Sequence, residues 1–254
     1  MSGVVHCQRA GKVAFVTLCN PGKFNAMDRA MWRSLRLVFE ALQADLTLRC
    51  IVIAGAEGHF CAGGDIAEYP SFRFDPEQLR HFHEQEVWGG LQAMLDCDVP
   101  ILAKIEGNCM GAGVEIASCC DVRWASTTAR FGAPIARLGF PMAPREAELV
   151  SQATGQSVAR AMLLAAEIFD AADMHRAGFL GRVLAHDHLQ VHAQQWVERV
   201  QNLAPQAARK NKQTLRALAG KTTLAMQDPY AYASTPEHRE GITAFLEKRP
   251  PRFD

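Results

Sequence analysis

Two stretches constrain this chain more than any other: CIVIAGAEGHFCAGGDI, beginning at Cys50, and ILAKIEGNCMGAGVEI, beginning at Ile101. Each opens with a short run that is apolar almost throughout, which reads as a buried strand. Each then passes through a glycine-rich turn that opens a helix. The same strand–turn–helix passage therefore occurs twice in one chain. Around it, the first 140 or so residues alternate strands with helices. VVHCQRAGKVAFVTLC reads as a hairpin turning at Ala10 and Gly11, and Asp28 is placed to cap the helix DRAMWRSLRLVFEALQADL. A further helix starts at about Pro76, and DVRWAST and ARFGAPI read as two more short strands. From about Pro144 the pattern reads as helix after helix to the end. The expectation is a parallel α/β core followed by a helical C-terminal region.

The turns suggest chemistry as well as fold. A turn stripped of side chains lets a ligand approach the backbone closely. A helix starting there leaves N–H groups unpaired, with the positive end of its dipole behind them. Two such turns on one sheet can aim two N–H groups at one oxygen, which is an oxyanion hole. That arrangement suits a carbonyl gaining negative charge, such as a thioester becoming an enolate. Glu115, just past Gly111-Ala112-Gly113, is the acid placed to move a proton at a carbon beside that carbonyl. Spacing alone names no ligand.

Bulk properties narrow the class. The chain has 254 residues, enough for a core that needs no disulfide staples. Its 27 basic and 27 acidic residues cancel, which argues against a nucleic-acid or anionic-membrane surface as main partner. The eight cysteines include no CxxC pair and fall mostly in apolar runs, so they read as reduced core residues of a reducing compartment. The N-terminus shows no signal-peptide or transit pattern, and no apolar run is long enough to span a bilayer. A cytoplasmic location is expected.

The chain resembles the enoyl-CoA hydratase/isomerase (crotonase) family along nearly its whole length. The matching pieces, in order, are NPGKFNAM, IVIAGAEGHFCAGGDIAE, ILAKIEGNCMGAGVEIASCCDVRWAS, ARFGAPIARLGF, AARKNKQTL and EGITAFLEKRPPRF. The resemblance implies an α/β spiral of ββα units (residues 1–195) with a helical C-terminal trimerisation region (196–254). It implies homotrimers, often paired into hexamers, and an acyl-CoA thioester as substrate, so that coenzyme A arrives with the substrate and no separate cofactor or metal is needed. By position, the oxyanion-hole amides would come from Gly64 and Ala112. Relatives carry glycine at the second position; alanine keeps the N–H, provided that the backbone there does not need a positive φ. Ala62, Asp65 and Ile66 match the segment that holds the adenine and pantetheine of coenzyme A. Lys23 lies where a basic residue meets the CoA phosphates. Lys248 matches a C-terminal lysine that reaches CoA, in some cases from a neighbouring subunit.

One departure matters. Hydratases of the family use two glutamates: one matches Glu115, and the other belongs in FGxPE, where this chain has FGAPI with Ile135 at the acid's place. Isoleucine can neither hold nor deprotonate water. Three readings follow: a hydratase or isomerase in which Glu115 works alone, a decarboxylase of a malonyl-type CoA thioester with an apolar Ile135 beside the leaving carboxylate, or a non-catalytic acyl-CoA binder. Glu146 is an external acid that would rescue the first reading, though an acid in a first helical turn ordinarily serves the helix dipole. His81 and His83 are candidates for the acyl pocket, as are Trp88 and Phe140. His188 and His192 share a helix face, but without HExxH context they read, with His186, as a solvated helix N-terminus rather than a metal site.

Overall fold

In the computed structural model, which describes residues 2–219 and 229–253, strand β1 (Val4–Ala10) turns back antiparallel onto β2 (Val13–Cys19), as the hairpin pattern predicts. Helix α1 (Arg29–Ala44) starts where Asp28 accepts a hydrogen bond from the Met31 amide. Strand β3 (Cys50–Gly55) pairs parallel to β2, β4 (Ile101–Ile105) to β3, and β6 (Val122–Ser126) to β4. Helices α2 (Pro76–His81), α3 (Trp88–Asp96) and α4 (Ala112–Ser118) lie between these strands in the chain.

The apolar runs of β3 and β4 are continuous because both faces of this sheet are covered. Ile51, Ile53, Ile101 and Ala103 join one core with α1, α3 and α4. Val52 and Leu102 face the other way, onto Trp124 and the Leu189, Ala193, Trp196 and Val197 stripe of α8 (His186–Gln201). Side chains alternate across a strand, so a strand covered on both sides is apolar nearly throughout, with Lys104 of β4 partly exposed and bonded to Gln190.

A second, smaller layer stands beside this sheet. Strand β5 (Asn108–Met110) pairs with β7 (Arg130–Gly132), which pairs with β8 (Ile168–Asp170). Isolated parallel bridges, Cys61 with Cys109 and Met27 with Gly64, continue the layer. The chain therefore climbs as a spiral: β2 then Met27, β3 then Cys61–Gly64, β4 then β5, and β6 then β7, with a helix or helical turn after each pair. The ββα spiral is thus present.

The reading of residues past Pro144 as uninterrupted helix is corrected. Helices α5 (Pro144–Thr154), α6 (Gln156–Leu164) and α7 (Ala171–Arg176) are there, but β8 and β9 (Arg182–Leu184) are strands, and β9 closes the edge of the large sheet beside β6. Each spans three residues, too few for an alternation to show. Residue 195, where the sequence reading changes from core to C-terminal region, lies inside α8. Helix α9 (Pro205–Leu218) carries AARKNKQTL; the last residue of that expected helix, Gly220, lies outside the described residues. Its cations dock it: Lys212 Nζ donates to the Val99 carbonyl (2.9 Å) and to Asp121 (2.7 Å), and Arg209 donates to the Asp45 carbonyl (2.8 Å). Helix α10 (Pro236–Leu246) ends the fold.

Candidate active site

The two glycine-rich turns meet. The Met110 amide donates to the Cys61 carbonyl and the Cys61 amide to the Asn108 carbonyl, both at 2.8 Å. A side chain on Gly111 would point at Gly63 Cα, 3.7 Å away. Gly111 caps α4 with φ +46°, a conformation that favours glycine. Gly113 has no room for a side chain either, because a Cβ there would lie 2.7 Å from the Cys61 carbonyl oxygen. Ala112 stands between them with a negative φ, so the condition on alanine is met and its N–H is retained. As the first residue of α4 its N–H has no intrahelical acceptor. Among the described residues, the hydrogen bonds that tie the turns together use neither this N–H nor that of Gly64. Gly64 is packed against the Tyr69 hydroxyl, into which a Cβ would run.

Glu115 lies in the first turn of α4 and is buried. Among the described residues no hydrogen bond reaches its carboxylate. Burial, followed by the charge of Glu146, pushes its pKa up to about 8. The turn thus presents two unengaged N–H groups and one carboxyl that is protonated near neutrality.

The other expected residues fall into two groups. Asp65 is buried, caps the short 3-10 helix Ile66–Ser71 by accepting from the Ala67 amide (3.2 Å), and pairs with Lys23 at 2.5 Å. The Ala62 amide donates to the Phe24 carbonyl (3.0 Å), and Ile66 is exposed. Two loops therefore meet beside the turns: the one after β2, with Lys23, and the one after β3, with Ala62, Asp65 and Ile66. Lys248 is exposed just past α10, away from this group in sequence and in hydrogen bonding. Ile135 stands half-buried in the 3-10 turn Pro134–Leu138, just after Gly132, whose carbonyl accepts from the Gly111 amide at 2.8 Å.

Helix α5 brings in an acid. Glu146, in its first turn, is only 2 % exposed. Its Oε1 lies 3.0 Å from Nδ1 of His83. His83 belongs to a π-helical turn, Phe82–Val87, inserted between α2 and α3. His81, outside that turn, is exposed and 3.9 Å from Glu86. Of the two histidines, the structure turns His83 inward. Trp88 is held on the outer side under the Arg145 guanidinium, 4.2 Å from its ring. Phe140 lies edge-on to Tyr69, with ring centroids 6.0 Å apart. The histidines of α8 face elsewhere: His186 pairs with Glu106 at 2.5 Å, and His192 lies 3.1 Å from Arg182.

Sequence reasoning missed Tyr69 and Arg73. The Arg73 guanidinium sits 3.7 Å from the Phe140 ring centre and 4.5 Å from that of Tyr69. It is half-buried and has no carboxylate partner among the described residues. No spacing signal announces such a stack, since its members come from two separate loops.

Comparison with known proteins gives the family. The profile of the family described as Enoyl-CoA hydratase/isomerase matches residues 8–254. A probable enoyl-CoA hydratase of Rhizobium meliloti (strain 1021) is 30% identical over 248 residues, covering 96% of this chain and 95% of the relative. The 2,3-dehydroadipyl-CoA hydratase of Escherichia coli (strain K12) is 31% identical over 250 residues, covering 96% of each. The crystal structure of an enoyl-CoA hydratase/carnithine racemase from Magnetospirillum magneticum superposes with a TM-score of 0.94 at 30% identity, over 99% of this chain and 95% of that one. The chain belongs to the enoyl-CoA hydratase/isomerase family.

Proposed function

We propose that this protein adds water to, or moves a double bond in, an enoyl-CoA thioester, through an enolate held at the two glycine-rich turns. The observation that carries the reading is Glu115: a buried carboxyl, free of hydrogen bonds among the described residues, set in the same helical turn as the Ala112 N–H and beside the Gly64 loop. The thioester oxygen would accept from the Gly64 and Ala112 amides as negative charge develops, and Glu115 would exchange a proton with the adjacent carbon. Lys23, Ala62, Asp65 and Ile66 would hold the CoA moiety where their two loops meet. Lys248 would reach it from a neighbouring subunit of a trimer, built on the exposed Ile242, Phe245 and Leu246 of the C-terminal region.

Arg73 bears on the acyl group. A half-buried guanidinium stacked on aromatic rings, with no counter-charge among the described residues, suits an acyl chain that ends in a carboxylate. The E. coli relative is named for such a substrate class, a dehydroadipyl thioester.

Ile135 favours a second reading, decarboxylation of a malonyl-type thioester, because an apolar side chain stands where hydratases of this family place an acid. The same oxyanion hole would then hold the enolate left by CO2. One assay separates the two: purified protein with crotonyl-CoA and methylmalonyl-CoA in parallel, followed by mass spectrometry. Gain of water on crotonyl-CoA is the expected result. Loss of CO2 from methylmalonyl-CoA without hydration would overturn it in favour of the decarboxylase. Tight CoA-ester binding with no turnover would leave only a binder.

A further inference from the structure

We infer that Glu146, held by His83, is the second carboxylate of this active site and fills from α5 the role that Ile135 leaves empty. The inference rests on the proposed reaction at an enoyl thioester and deepens it.

An acid in the first turn of a helix normally stands in water, where it complements the helix dipole. Glu146 does not: it is 2 % exposed, and its side-chain partner is His83 at 3.0 Å. Burying a carboxylate is costly unless something pairs with it. The fold provides that pairing through an uncommon element, the π-helical turn Phe82–Val87. Such turns occur mostly as single insertions within α-helices, frequently at functional sites. The segment is clasped to α5 by consecutive contacts. Arg145 reaches Glu84 at 3.2 Å and lies over Trp88, while the next residue, Glu146, meets His83. The outer clasp already fastens the π turn to α5, so packing alone does not require a second, buried, ionisable pair beneath it. Helix α5 packs directly on α4, with Val114, Leu149 and Val150 in one core, and Glu146 is close enough to add to the upward shift of Glu115.

The chemistry balances with two carboxyls and one proton between them. Water bonds through its oxygen to Cβ of the enoyl thioester and gives one proton to the Glu146 carboxylate. The C=C pair shifts toward the carbonyl, and the thioester oxygen carries the charge against the Gly64 and Ala112 amides. The enolate then collapses and takes the Glu115 proton at Cα. Glu146 has gained one proton and Glu115 has lost one, so a transfer between them resets the site. His83 is a positioning residue, since it contacts Glu146 rather than the substrate.

The test compares wild type, E115Q, E146Q, H83Q and the double variant E146Q/I135E on crotonyl-CoA. Melting temperature and affinity for saturated butyryl-CoA are measured alongside kcat and KM. The expected results are a loss of about 10²–10⁴ in kcat for E146Q, unchanged melting and butyryl-CoA affinity, and at least a tenfold recovery in E146Q/I135E, where a carboxylate returns to position 135. H83Q should lower kcat by roughly tenfold with little change in KM. A merely structural pair would not be rescued from position 135. Full activity in E146Q while E115Q is inactive would overturn the inference and leave the broader reading intact, with Glu115 acting alone. Loss of kcat in E146Q together with butyryl-CoA affinity and melting temperature, without rescue, would also overturn it. A wild type that hydrates no enoyl thioester would remove the underlying reading, and the inference with it.

Discussion

The candidate active site has two walls made in different ways. One, residues 61–65 with 110–115, is a backbone wall: glycine turns in contact, peptide bonds at 2.8 Å, and amides left free for a ligand. The other, residues 134–146 with the π turn, is a side-chain wall, where Ile135, Phe140 and Glu146 come from a 3-10 turn, a loop and a helix start. The backbone wall tolerates little change, because a Cβ at Gly113 would meet a carbonyl oxygen. Under the proposal above, the side-chain wall supplies from α5 the acid that position 135 lacks, without disturbing the spiral. A fold with both can keep its backbone donors fixed and vary the side chains around them.

The largest expected effect tests the carboxyl that both walls serve. Glu115→Gln should lower kcat on crotonyl-CoA by about 10²–10⁴, read in a steady-state hydration assay. Next comes the backbone wall alone. Ala112→Pro removes one N–H at the first position of α4, where proline is tolerated. It should cost about 10²–10³ in kcat with an unchanged melting temperature; a fully active variant would mean that this amide does not meet the substrate.

Titration gives a third prediction. Glu115 has a pKa raised from 4.5 to about 8 in the folded protein. A raised carboxyl binds its proton more tightly when folded, so its contribution is complete below about pH 4.5 and is lost as pH rises to about 8. Glu115→Gln lacks that loss. In urea unfolding it should therefore gain on wild type between pH 5 and pH 8, by up to about 5 kcal/mol at one pKa unit per 1.4 kcal/mol. A constant difference between the two proteins would contradict the burial argument. The smallest effect concerns the acyl end of the pocket. Arg73→Met should reduce kcat/KM by about tenfold, the size of one charge-assisted hydrogen bond, for an enoyl-CoA with a distal carboxylate. Crotonyl-CoA should be affected little.

The backbone wall was legible in the sequence because its requirements fall on residue types with few alternatives. Gly111 sits at φ +46°, and Gly113 lies against a carbonyl, so both had to be glycine and both could be read. The continuous apolar strands β3 and β4 were legible for the same reason, since a sheet covered on both faces leaves no choice of polarity. Strands β8 and β9 were not, being three residues each in a stretch with helical spacing on both sides. Ile135 could be seen to lack an acid, but the structure was needed to show which acid lies near Glu115. A faint signal existed: Glu146, Leu149 and Val150 share one helix face, and the latter two are buried. Its partner was hidden, because a π-helical turn shifts which residues of the 82–87 segment face inward.

The most direct test of the central claim is hydration of crotonyl-CoA in D2O by wild type and Glu115→Gln, with the product examined by mass spectrometry and NMR. The account predicts 3-hydroxybutyryl-CoA carrying one non-exchangeable deuterium at Cα from the wild type, and from the variant a rate of product formation lower by about 10²–10⁴. Product formed by Glu115→Gln at the wild-type rate would show that the proton reaches Cα by another route, and would contradict the account.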